Sequence, residues 1–275
     1  MKNLLIRTLT GAVFTAAIIG SIYWNVHVFA GLFLVITFLS AAEFFKLVSH
    51  EKDRPQWVAG LVIASVAYTF FVLHATGHIP GDRLLLLIPL VIFPAAAELY
   101  RRSEHPFRNI ALTLTPLFYI AFPLASLSYL FVPKGADYGA FPNIAASFFF
   151  ITWTADTMAY LGGMALGKHR LFERISPKKS WEGSITGALF AVGMGIFLSF
   201  FFKELTLIQW VGMALIIVVS STFGDLAESM LKRSAGVKDS GTLLPGHGGF
   251  LDRFDGVLFS APCVFLYLYL INYCL

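Results

Sequence analysis

Charge is what this chain of 275 residues is short of: Asp, Glu, Lys and Arg make up 13% of it, roughly half their share in soluble globular proteins. Hydrophobic residues fill 57% and the mean hydropathy is +0.74. A water-soluble enzyme is therefore excluded, and the solvent is largely lipid. Cysteine is almost missing. Cys263 and Cys274 lie eleven residues apart in one apolar stretch, where they cannot easily pair, and they are expected to be core thiols. So little charge beside 28 Phe also excludes intrinsic disorder. The balance of 20 Lys+Arg against 16 Asp+Glu is too even to imply nucleic acid as a partner. No segment has a convincing second copy, which weighs against the paired repeats of secondary transporters.

What the chain does have is apolar runs. A membrane-crossing helix takes about 20 residues, and polar, Pro and Gly punctuation divides the sequence into nine candidate spans: 5–24, 28–48, 57–76, 84–100, 110–132, 143–166, 183–202, 206–232 and 254–274. The fold expected is all-α, a polytopic integral membrane protein of about nine transmembrane helices. It reads as one membrane domain over 1–275, with less characteristic helices up to about 140 and the chemistry in 143–275. Lys2 and Arg7 precede the first apolar run as in a signal peptide, but no clear cleavage site follows, so that span is expected to be retained. Seventeen Lys and Arg fall on the N-terminal side of the membrane, against Arg83, Lys134 and Lys203 on the other. The N-terminus is thus expected to be cytoplasmic. The absence of long soluble extensions or a transit peptide points to a bacterial inner membrane.

Carboxylates inside apolar runs need a reason, because a charge at a helix centre costs about 2.5–3.5 kcal/mol on insertion. Asp156 lies in the 143–166 run, and Asp225 and Glu228 in 206–232. Ser221, Asp225, Ser229 and Lys232 follow helical spacing on one face. They line a polar stripe or, more simply, an internal ion pair from Asp225 or Glu228 to Lys232. Glu43 and Glu98, near helix ends, are expected to snorkel or cap. The connection that follows is the densest polar cluster in the chain. Gly246, Gly248 and Gly249 allow main-chain N–H groups to curl around phosphate oxygens. Asp252 and Asp255, three apart at a helix start, suit a hard cation such as Mg²⁺; as the plainer alternative, they cap the helix.

On the same side, Lys168, His169 and Arg170 precede Ser176-Pro-Lys-Lys-Ser-Trp-Glu-Gly183. Here Pro177 is expected to fix a turn, Ser180 to cap the next helix, and Lys178 and Lys179 to meet phosphate or lipid headgroups. Gly183, Gly187, Ala191 and Gly195 let a neighbouring helix approach closely. Pro94, Pro116 and Pro123 are expected to kink their helices.

The run Ser229 to Asp255, SMLKRSAGVKDSGTLLPGHGGFLDRFD, resembles the signature of the phosphatidate cytidylyltransferases, or CDP-diacylglycerol synthases: S-x-L-K-R, then K-D, then P-x-H-G-G, then D-R-F-D. Ser176 to Gly183 is similar to the family's S-P-K-K-S-x-E-G segment, whereas residues up to about 140 match in hydropathy only. The resemblance implies cytidylyl transfer from CTP to phosphatidate with Mg²⁺ as cofactor, in a homodimer, with the site open to cytoplasm and bilayer. It implies that Asp225, Asp252 and Asp255 hold the cation, and that Lys232, Arg233, Lys238, His247 and Arg253 neutralise the triphosphate and leaving pyrophosphate. Ser229 and Asp239 would orient them. Ser176, Lys178, Lys179, Ser180, Glu182, Gly248 and Gly249 would bind substrate. His247 is open between hydrogen-bond donor and general acid.

Three rival classes share some features, one of them the polyprenol or phytol kinases that use CTP, which would differ only in the acceptor. An ion-coupled transporter would use the intramembrane acids, but the polar residues crowd one surface. The run Asp252-Arg-Phe-Asp255-Gly256 faintly resembles the start of the CDP-alcohol phosphotransferase motif, without its later residues.

Overall fold

The structure, a computed structural model, describes residues 2–49, 53–131, 142–241 and 248–271. Its helices are α1 (Lys2–Trp24), α2 (Val26–Val48), α3 (Trp57–Ala75), α4 (Ile88–Arg101), α5 (Pro106–Pro116), α6 (Phe122–Ser126), α7 (Pro142–Leu166), α8 (Trp181–Phe201), α9 (Leu207–Ser234) and α10 (Leu251–Leu270). A short antiparallel hairpin, β1 (Arg170–Phe172) with β2 (Ser176–Ser180), joins α7 to α8. Among the described residues, eight helical segments are long and apolar enough to cross a membrane. The apolar stretch Thr8–Trp24 of α1 is shorter.

The all-helical polytopic reading holds, with local differences that have physical causes. The span expected at 110–132 begins at Pro106 and is composite: α5 ends at Pro116, a π-helical turn covers Leu117–Ala121, and α6 passes into a 3-10 turn at Leu127–Phe131. Two prolines seven residues apart, each lacking an N–H and crowding the preceding turn, break one helix into these pieces. Pro177 does not make a turn. It lies inside β2, where a two-stranded hairpin leaves one edge unpaired and tolerates a missing donor. The last span starts three residues earlier than expected, so Asp252 already lies in the first turn of α10. Cys263 is exposed on the outer face of α10 rather than in the core, and Cys274 lies outside the described residues.

Lipid tails are as apolar as leucine, so helix association within a bilayer rests on close packing rather than on the hydrophobic effect. Two devices supply it. Phe254, 1% exposed, meets Phe14 and Phe33 with ring centroids 5.5 Å away in each case, and Phe33 reaches Phe149 at 6.0 Å. These rings tie α10 to α1, α2 and α7, each pair worth about 0.5–1.5 kcal/mol. The second device is the small-residue face of α8. Gly183, Gly187, Ala191 and Gly195 are all buried. A Cβ at Gly187 would stand 2.8 Å from the Ala155 carbonyl of α7, and one at Gly195 would stand 3.0 Å from the Trp210 carbonyl of α9.

Gly195→Leu is therefore expected to wedge α8 from α9 and lower stability by about 1–3 kcal/mol. Gly193→Leu, on the outer face where a Cβ meets nothing within 4 Å, is expected to leave it unchanged. Thermal unfolding in detergent compares the two, and equal melting temperatures would refute the close contact.

Candidate active site

The seam between α9 and α10 is built by glycine. Gly224 faces the Asp255 carbonyl, and a Cβ at Gly256 would stand 3.1 Å from that of Ser221, so the two backbones touch where larger residues would part them. Along this seam the acids fall into two layers, one helical turn apart.

The first layer holds Asp225 and Asp255, with Asp156 of α7. All three line a groove of about 590 Å³ between α7, α8, α9, the start of α10 and the hairpin. Asp225 is ion-paired to Lys179 at the end of β2 and accepts a hydrogen bond from Ser229 Oγ at 3.3 Å. Asp255 Oδ1 accepts from its neighbour's N–H, Gly256, at 2.7 Å, and the carboxyl lies in the field of Asp225, Asp156 and Lys179. Asp156 is exposed to the groove and lies in the field of Asp225, Lys179 and Arg253. Lys178 and Arg170 line the same groove. Its wall runs outward onto Tyr160 and Met164, which are 66% and 62% exposed.

The second layer is closed. Lys232 Nζ lies 2.5 Å from Glu228 Oε2 and 2.7 Å from Asp252 Oδ1. Asp252 Oδ2 accepts the N–H groups of Ser240 and Gly249, at 3.0 and 2.9 Å. Of the two pairings weighed for Lys232 on its own helix, Glu228 is realised, and Asp225 turns to Lys179 instead.

The three aspartates expected to share a cation are thus divided. Asp225 and Asp255 line one groove, and Asp252 is taken up one turn away as counter-ion to Lys232 and acceptor for the Ser240 and Gly249 N–H groups, without capping α10. Among the described residues, no three His, Cys, Asp or Glu side chains are arranged to hold a metal ion. Mg²⁺, however, keeps several waters and is commonly held by one or two carboxylates with substrate phosphates supplying the rest. Asp225 and Asp255, facing one groove beside lysine, fit that donor set.

The other expected site residues are placed as follows. Ser180 caps α8 by accepting from Gly183 N at 3.2 Å. Glu182 turns back to the hairpin, accepting from Lys168 N at 3.1 Å and meeting His169 Nδ1 at 2.6 Å; it fixes the hairpin and does not face the groove. Ser176 pairs with Phe172 across the strands. Arg233, Lys238, Asp239 and Arg253 are exposed at the polar end, with Arg233 Nη1 donating to Val237 O at 3.3 Å. Gly248, at φ +82°, faces the Asp252 carboxylate and Gly249 donates to it. His247 lies outside the described residues. Glu43 and Glu98 do not snorkel. They are 1% and 4% exposed, and Glu98 accepts from Ser103, Asn109, Gln56 and Arg101.

Sequence reasoning assigned no role to Asp156, and it gave Glu43 only a snorkelling or capping one, whereas Glu43 accepts the Leu251 N–H from across the fold. The signal for both was a lone acid in an apolar run.

Fold and groove together define a class: a polytopic all-α membrane protein with paired acids and lysine at the polar end of its last helices. The chain belongs to the cytidylyltransferase family, whose profile matches residues 5–271. It is similar to the phosphatidate cytidylyltransferase of Thermotoga maritima, 32% identical over 97% of this chain and 96% of that one. It is 35% identical to that of Staphylococcus aureus (strain COL) over 69% and 70% of the two chains. It is 41% identical to that of Brucella abortus biovar 1 over 55% of this chain, a match that spans about half the length, 54%, of that relative.

Proposed function

We propose that this protein transfers a cytidylyl group from CTP to phosphatidate, giving CDP-diacylglycerol and pyrophosphate. We place the reaction at the cytoplasmic face of a bacterial inner membrane, in a homodimer, on the strength of the basic-residue asymmetry for the first and the family resemblance for the second. One observation carries the reading: a groove whose polar end gathers Asp225, Asp255, Asp156 and Lys179 and whose wall continues onto the exposed Tyr160 and Met164. Such a groove suits a reactant with a phosphate head and apolar tails.

In the reaction, a phosphate oxygen of phosphatidate forms a bond to the α-phosphorus of CTP. The bond from that phosphorus to the β-bridging oxygen breaks, and its electron pair leaves with pyrophosphate. The attacking oxygen is already anionic, so no side-chain base is needed, and the work is alignment and charge screening. Lys179 and Lys178 offset the negative charge of the lipid phosphate. Arg233, Lys238 and Arg253, exposed toward water, meet the triphosphate. Asp225 and Asp255 would hold Mg²⁺, which when bound neutralises phosphate oxygens and steadies the departing charge.

Purified protein in detergent, given phosphatidate, Mg²⁺ and each labelled nucleoside triphosphate in turn, is expected to convert CTP alone to lipid product with one pyrophosphate per lipid. Comparable use of another triphosphate, or no lipid product, overturns the proposal.

A further inference from the structure

Glu43 is an acid in an apolar helix of the N-terminal half, 197 residues from Ser240 in sequence and in contact with it in space. Its Oε2 accepts the backbone N–H of Leu251 at 2.9 Å and the hydroxyl of Ser240 at 3.3 Å. Its Oε1 is buried with no hydrogen-bond partner among the described residues. Both arms of the signature connection close on this carboxylate through glycine. A Cβ at Gly241 would stand 2.7 Å from Oε1, and one at Gly249 would stand 2.8 Å from Cδ.

The side chain does for α10 what no local residue does. Phe250 stands at the helix cap position without a capping side chain, and the first turn of any helix leaves N–H groups to be satisfied from outside. Glu43 takes that of Leu251, while Asp252 takes those of Gly249 and Ser240. Ser240 and Gly249 are therefore held between two carboxylates, one from α2 and one from α10.

We infer that Glu43 is a positioning residue for the nucleotide: by gripping both arms of the connection and the start of α10, it sets where Lys238, Arg253 and the Gly248-Gly249 backbone meet the triphosphate. The inference rests on the reading of the site as a CTP site. Glu43 lies outside the groove and touches neither reactant. Its removal acts on CTP and leaves the lipid end alone.

Steady-state kinetics on purified protein, varying CTP and phosphatidate separately and normalised to the folded fraction from gel filtration, test this. Glu43→Ala is expected to raise the CTP KM or lower kcat at least ten-fold, with the phosphatidate KM within two-fold of wild type. Glu43→Gln keeps an acceptor oxygen for Leu251 N–H and is expected to recover most of that loss. Gly241→Ala, which pushes on the carboxylate without deleting it, is expected to shift the CTP parameters in the same direction, and it serves should Glu43→Ala not fold. A loss in Glu43→Ala that disappears on normalisation, an equal rise in both KM values, or a Gln variant as impaired as Ala overturns the inference. Wild-type protein that makes no CDP-lipid overturns the CTP reading itself, independently of any variant.

Discussion

Asp255→Asn is expected to lower turnover by about a hundred-fold or more, the scale on which deleting a preorganised charge from a reaction site is felt, while the protein stays folded and inserted. The separation follows from the geometry. The Asn oxygen can still accept the Gly256 N–H that Asp255 accepts at 2.7 Å, and the volume is unchanged. What is lost is one negative charge in a groove that already holds Asp225 and Asp156, so folding loses nothing and repulsion eases. Asp252→Asn behaves differently. Asp252 uses one oxygen for Lys232 and the other for two backbone N–H groups; an amide places its NH₂ against one set of donors, so melting temperature and rate are expected to fall together. Rates of labelled lipid formation beside thermal unfolding in detergent read both quantities. Turnover within a few-fold of wild type for Asp255→Asn removes that residue from the site.

How much of this was legible in the sequence depends on the range of the interaction. Helix placement is local: an apolar run bounded by polar residues determines a span, and α2, α3, α7, α8 and α9 lie close to where periodicity and punctuation put them. The Ser180 cap and the small-residue face of α8 are equally local, since a cap bonds within three residues and helical neighbours recur every fourth. The hairpin was not legible, because its pairing of Arg170 with Ser180 uses backbone groups that any residue supplies. The division of the aspartates was hidden for another reason. Spacing places Asp252 and Asp255 on one face of α10, but which of them meets Asp225 depends on the axial offset between two helices, and that is set by glycine contacts at Gly224 and Gly256. Glu43 is the extreme case. Its partners lie some two hundred residues away, and nothing near it in sequence marks it as more than a helix-end acid.

The second large effect concerns Lys232, which the family resemblance assigns to the triphosphate and the structure surrounds with protein carboxylates. Lys232→Met removes the one cation shared by Glu228, 0% exposed, and Asp252, 6% exposed in its side chain. Breaking a buried pair from one side is costly, about 3–5 kcal/mol, because the remaining charge stays out of water. Asp252 keeps its two N–H donors, but Lys232 is the only cation paired with Glu228 among the described residues. The loss is therefore expected to centre on Glu228, and Lys232→Met with Glu228→Gln, which carries no buried charge at 228, is expected to regain most of the stability. An unchanged melting temperature for Lys232→Met contradicts the ion-pair account. The double variant also divides the two roles of the lysine. If Lys232 is spent on the internal acids, as the closed second layer implies, turnover returns with the melting temperature; stability restored without turnover gives the cation back to the phosphates of the nucleotide.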